Sequence, residues 1–84
     1  MSTYPGIYRA VVVDDHDPLR LRRLKVRVPD VHGSESSWAS ACVPAGSRRQ
    51  PTVGSGVWVM FEGGVPDRPV WIGAVVAAAS RAPA

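Results

Sequence analysis

Glycine and proline interrupt this chain so often that long helices have no room to form. The 84 residues contain eight of each, and the segments between them are short. Both residues disfavour helix interiors, whereas short segments rich in β-branched and aromatic residues favour strands. The sequence therefore predicts a series of short strands joined by tight turns.

Five segments carry a strand pattern, at residues 7–13, 24–28, 38–43, 57–62 and 69–76. The second alternates strictly, with Leu24, Val26 and Val28 on the face that we expect in the core and Arg23, Lys25 and Arg27 on the other. Upstream, Leu19 and Leu21 have the opposite parity. Extending this strand back to residue 19 therefore requires a β-bulge near Arg22 and Arg23.

Five short strands without a strong helix predict an all-β fold, a small five-stranded barrel of the OB-fold or the SH3-like type. The strand pattern alone does not choose between the two. A chain of this size supports one core only, so we expect a single domain over residues 1–84. The barrel occupies about residues 7–76, and residues 77–84 form a C-terminal tail, either one helical turn or a frayed end.

No disulfide and no structural metal site are expected in this domain. One cysteine and two histidines are too few for an internal disulfide or a conventional zinc site. A small domain without a disulfide or a metal needs a well-packed core or partner subunits that cover its apolar surface. No apolar stretch approaches the roughly 20 residues that span a bilayer, so stable membrane insertion is not expected.

The residues that could support catalysis have simpler structural interpretations. Asp14, Asp15 and Asp17 surround His16 and could bind a cation, but Asp side chains more commonly cap backbone amides in turns. Cys42 and His32 lie ten residues apart with no third orienting group, which favours a buried thiol and a loop histidine. We therefore predict no catalytic, metal-binding or cofactor-binding residue and no cofactor.

Basic residues cluster between positions 20 and 27, namely Arg20, Arg22, Arg23, Lys25 and Arg27. One solvated strand face is the favoured interpretation, and contact with an acidic partner or with nucleic acid is the alternative. Nucleic-acid-binding OB-folds combine a basic groove with stacking aromatics. Here the tryptophans lie in apolar strands and none lies among the arginines, so no nucleic-acid partner is expected.

Two long blocks of the sequence resemble a known family. The first contains Tyr8–Asp14, Leu24–Pro29, Val31–Gly33 and Ala41–Pro44, and the second contains Val53–Gly64 and Pro66–Gly73. Together they are similar to the OB-fold domain of phage baseplate hub and spike proteins, which includes the baseplate assembly protein V group and the VgrG proteins of type VI secretion. The resemblance spans about residues 7–76 and favours the OB-fold over the SH3-like barrel.

The resemblance implies a homotrimer on the tail axis of a contractile phage or phage-like particle, between the hub or tube protein and a separate spike protein. The expected subunit or partner contacts are Trp58, Met60 and Trp71, with Arg23, Lys25 and Arg27 facing an acidic neighbour. Larger family members carry a hub, lysozyme or needle domain, which this sequence lacks. We therefore expect a non-enzymatic adaptor of the tail baseplate that is assembled in the host bacterial cytoplasm.

Overall fold

The computed structural model describes residues 3–46 and 50–76. Its strands are β1 (Tyr8–Asp14), β2 (Leu24–Arg27), β3 (Ser37–Ala41), β4 (Gly56–Phe61) and β5 (Pro69–Ala74). One turn of helix, α1 (Pro29–His32), follows β2, and a 3₁₀ turn (Glu62–Gly64) follows β4. No helix in the described part of the chain is long and apolar enough to cross a membrane.

The five strands close into a barrel in the order β1-β2-β3-β5-β4, and β4 returns to pair with β1. Every pair is antiparallel except β3–β5, where Ser40 lies opposite Val70 and Ala41 opposite Trp71 in a parallel pair. A closed five-stranded barrel with almost no helix confirms the all-β prediction, and its architecture is that of the OB-fold.

The barrel core consists of alternate residues from all five strands. Leu24, Val26 and Val28 are completely buried, as their alternation predicts. On β4, Val57, Val59 and Phe61 point inward and Met60 points outward. The remaining core members are Ala10, Val12, Ala39 and Trp71.

Trp71 is a core residue, which corrects its prediction as a contact residue. It lies opposite Val59 of β4, and only 2% of its surface is exposed. Its indole Nε1–H donates a hydrogen bond to the Arg22 carbonyl oxygen at 3.3 Å. A bulge at Ile72 follows, because the next β5 residue in register, Gly73, lies opposite Trp58. The buried indole is therefore not available to a partner chain.

Strand β2 does not extend back to residue 19, so the β-bulge that such an extension would require near Arg22 and Arg23 is absent from the described residues. Leu19 and Leu21 are 62% and 61% exposed, and β2 begins only at Leu24. Positive φ angles at Arg20 (55°) and Arg22 (63°) are incompatible with a continuous strand. The irregularity of the β1–β2 pair lies instead in β1, where the register shifts between Val12 and Asp14.

Three smaller expectations concern Cys42, His32 and the C-terminal tail. Cys42, expected as a buried thiol, is exposed, because it follows the last residue of β3. His32, expected in a loop, lies in α1. The tail at 77–84 lies outside the described residues.

Candidate functional site

Asp17 organises the loop between β1 and β2. Its carboxylate accepts hydrogen bonds from the backbone N–H groups of Leu19, Leu21 and Arg23 at 2.9–3.2 Å. The Arg23 guanidinium donates two more, at 2.9 Å from Nε and 2.8 Å from Nη2. These donors hold the pKa of Asp17 well below its ordinary range, with the Arg23 contact as the largest cause. The predicted turn role of this aspartate is confirmed.

Arg23 therefore has a structural task in its own chain. Its bidentate ion pair with Asp17, whose side chain is only 3% exposed, neutralises the arginine charge and raises its pKa. The expected contact of Arg23 with an acidic neighbour stays a prediction, but the guanidinium already has a carboxylate partner. Lys25 and Arg27 carry the remaining positive charge of this strand face.

The neighbouring acidic residues are also explained by turn geometry. Asp14 accepts a hydrogen bond from the His16 backbone N–H at 2.8 Å, and the His16 Nδ1 lies 2.8 Å from Asp15. Asp14, Asp15 and His16 could place three ligand atoms within 4.8 Å of one another. Acidic groups of this kind are common in turns, and the hydrogen bond that Asp14 accepts from the His16 backbone N–H accounts for the arrangement.

His32 does not meet Cys42 in any described contact, and its ring has another role. Its Nε2 lies 2.8 Å from the Pro66 carbonyl oxygen, so this nitrogen carries the proton and donates it to the hydrogen bond. The ring also packs edge-on against Phe61, with centroids 5.6 Å apart. His32 thereby ties α1 to the connection between β4 and β5.

Trp38 lies among the cations of β2, which overturns the expectation that no tryptophan does. Lys25 is its direct partner across the β2–β3 pair. The Lys25 Nζ lies 5.8 Å from the centroid of the ring, and the Arg23 guanidinium carbon lies 5.3 Å away. Sequence reasoning missed this contact because it depends on the register between two strands, and no residue in either strand specifies that register alone.

A second cation–aromatic pair lies on the outer surface of β1 and β4. Arg9 lies directly opposite Trp58, and its guanidinium carbon is 4.9 Å from the ring centroid. Sequence analysis identified the tryptophan but missed the arginine. Beside them, Met60 is 46% exposed and lies opposite the half-buried Val70 of β5. Both side chains point outward, as their prediction as contact residues requires.

Four of the predicted contacts, Trp58, Met60, Lys25 and Arg27, lie on two surfaces that also include Val70 and Arg9, which were not predicted. We call Trp58, Met60 and Val70 the apolar face, which lies on β4 and β5. We call Arg9, Lys25 and Arg27 the basic face, which lies on the neighbouring strands β1 and β2. Trp71 belongs to neither. Both surfaces consist of side chains on a rigid sheet, which is an arrangement suited to binding other chains.

Comparison with known proteins gives this geometry its context. The profile of the type VI secretion system/phage-baseplate injector OB domain matches residues 8–75, which include all five strands. A search of curated proteins found no significant match. The matched family is a structural baseplate OB domain of phage and phage-like particles, and it is not a known enzyme family. Because the match covers most of the chain, this protein belongs to the phage-baseplate and type VI secretion injector OB-domain family.

Proposed function

We propose that this protein is an adaptor at the centre of a contractile tail baseplate. Three copies surround the tail axis and join the hub or tube protein on one side to a separate spike protein on the other. The chain assembles into the particle in the host bacterial cytoplasm. Membership of the injector OB-domain family supports the baseplate role.

The observation that carries the trimer is the apolar face. A closed barrel has no free strand edge, so copies of it associate through side chains and not through added strands. Met60 is 46% exposed, with the half-buried Trp58 and Val70 around it. Aromatic residues and methionine are enriched at the centres of protein interfaces. This face is therefore the surface that a second copy covers.

The mechanism that follows is mechanical. Each barrel is closed by hydrogen bonds between strands, and its buried side chains come from every strand. A close-packed core of this kind resists compression, so force applied at one end is transmitted to the other. The adaptor makes and breaks no covalent bond.

The native mass of the purified chain, measured by light scattering across a concentration series, tests the proposal. We expect a trimer whose dissociation midpoint rises at least about tenfold for Met60→Lys, since a desolvated, unpaired charge in an interface costs more than 1.4 kcal/mol. Val53→Lys is the matched control, because Val53 is 56% exposed but lies in the loop before β4. An unchanged trimer in Met60→Lys would contradict this assignment of the interface.

A nucleic-acid-binding OB module is the second candidate, because Trp38 lies beside Arg23 and Lys25. Such a module binds single strands with an affinity that falls steeply as salt rises. Titration with a labelled oligothymidine at low and physiological ionic strength separates the two functions. The adaptor role predicts no binding at physiological ionic strength.

A further inference from the structure

The basic face contains three cations whose charge is not neutralised within the described residues. In residues 3–46 and 50–76, no carboxylate forms an ion pair with Arg9, Lys25 or Arg27. Asp14 is the register partner of Lys25, but its carboxylate bonds the His16 backbone instead. The rings beside Arg9 and Lys25 attract these cations without cancelling their charge.

The strand register sets the spacing of these cations. Lys25 and Arg27 are two residues apart on β2, which places them about 7 Å apart on one face of the sheet. Val11 lies directly opposite Arg27, and Arg9 is two residues from Val11 on the same face of β1. Arg9 and Arg27 are therefore diagonal neighbours, and the half-buried Val11 lies between them.

An apolar depression adjoins this triangle of charges. Its volume is about 180 Å³, and its walls include Arg9, Val11, Pro29, Gly56 and Val75. Of the three cations only Arg9 lines it, so the surface offers a small apolar site beside Arg9, with Arg27 as the diagonal neighbour of Arg9. Carboxylates on either side of one aliphatic side chain would complement both features.

From this arrangement we infer that the basic face binds an extended, acidic protein segment. In that segment an aliphatic residue is flanked by carboxylates at alternate positions of the chain. Alternate residues of an extended chain point to the same side and recur about every 7 Å, the spacing of the cations. The inference deepens the proposed adaptor role by naming the chemistry of a non-identical partner, and it rests on that role for the partner's place in the particle.

A protein fits this surface better than a nucleic acid does. Single strands are held chiefly by bases stacked on open aromatic faces. Here both outward tryptophans, Trp38 and Trp58, are half-buried and already have a cation at the ring. The residue next to both Arg9 and Arg27 is the aliphatic Val11, which offers a phosphate backbone no hydrogen bond or charge.

Fluorescence anisotropy with the intact chain tests the inference. The probe is a short labelled peptide with one central leucine. Serines lie next to the leucine and alternate with glutamates on both sides, so that the leucine and the glutamates point to the same side. Control probes replace the glutamates with lysine, or the leucine with serine, and a labelled oligothymidine represents nucleic acid. We expect the acidic peptide to bind more tightly than all three, and more weakly as salt rises.

Charge-removing variants locate the site. Arg9→Gln and Arg27→Gln should each weaken peptide binding about threefold, and the double variant about tenfold, as expected for exposed ion pairs. Arg68→Gln is the matched control, since Arg68 is exposed in the turn before β5, and it should leave binding unchanged.

Several results would overturn the inference. These are an equal loss of binding in Arg68→Gln, tighter binding of the oligothymidine than of the peptide, or no peptide binding at low salt. The native mass of Arg27→Gln should equal that of the unmodified chain. If it falls, the basic face is a subunit contact, and the inference fails while the trimer stands.

Discussion

Replacing Trp71 by phenylalanine should destabilise each subunit, whether or not the subunits associate. Phenylalanine keeps a ring in the core opposite Val59 but removes the indole N–H that bonds the Arg22 carbonyl oxygen. The hydrogen bond contributes about 1 kcal/mol. The lost part of the indole removes roughly 50 Å² of buried apolar surface from a side chain of the 150–250 Å² class, worth another ~1 kcal/mol.

Trp71→Phe should therefore lower the free energy of unfolding by about 2 kcal/mol. For a domain of this size, that corresponds to a fall in Tm of roughly 10 °C. The assay is thermal unfolding followed by far-ultraviolet circular dichroism, at two protein concentrations that lie below and above the association midpoint. The loss of Tm should be the same at both, because the contacts are within one chain.

Trp58→Phe is the comparison variant. It replaces the indole beside the Arg9 guanidinium by a phenyl ring that still attracts a cation, so it loses only part of a contact worth about 0.5–1 kcal/mol. If Trp58 also contacts a second subunit, its loss of Tm grows with protein concentration, because association stabilises the folded chain by mass action. A Trp71→Phe effect smaller than that of Trp58→Phe, or one confined to high concentration, would refute the assignment of Trp71 to the core.

Two further predictions test the loops. Asp17→Asn should lower the free energy of unfolding at neutral pH and make it depend less on pH in the acid range. The folded state holds the pKa of Asp17 below the ordinary 3.8, so the contribution of Asp17 to stability is complete above that pH and is lost as the pH falls through and below it. Urea unfolding from pH 7 to pH 2 measures this, and an unchanged acid limb in Asp17→Asn would contradict it. Gly64→Ala should lower the free energy of unfolding by about 1 kcal/mol or more, since Gly64 has φ +76° and a Cβ there would lie 3.2 Å from the Thr3 Cβ. Gly73→Ala is the control and should change stability little, because a Cβ at Gly73 meets nothing within 4 Å. Equal unfolding midpoints for the two glycine variants would show that the conformation at Gly64 is not a constraint.

Alternation within a strand was sufficient to assign much of the core. Leu24, Val26 and Val28 are buried as their spacing predicts, because a strand places alternate residues on one face and burial of the apolar face is favourable. On β4 both faces are largely apolar in the sequence, so alternation alone did not decide which face is buried. The resemblance over residues 7–76 also predicted the family, since the order of the turn and strand motifs is itself a property of the sequence.

Contacts between distant segments could not be obtained in this way. In the sequence of β5 the neighbours of Trp71, Val70 and Ile72, are also apolar, so alternation does not decide which face is buried. Only the register of Trp71 with Val59 places it inside the barrel. The Asp17–Arg23 ion pair spans six residues, and it forms because positive φ angles at Arg20 and Arg22 turn the backbone toward the carboxylate. That loop excludes Leu19 and Leu21 from β2.

The sequence by itself determined that this chain forms short strands, which face of β2 lies in the core, and which family the domain belongs to. These are consequences of local alternation and of motif order along the chain. The tertiary structure decided which strands are neighbours, and therefore that Trp38 lies beside Lys25, Trp58 beside Arg9, and Trp71 in the core. Strand pairing joins residues far apart in the chain, and a shift of one residue would exchange every inward and outward side chain.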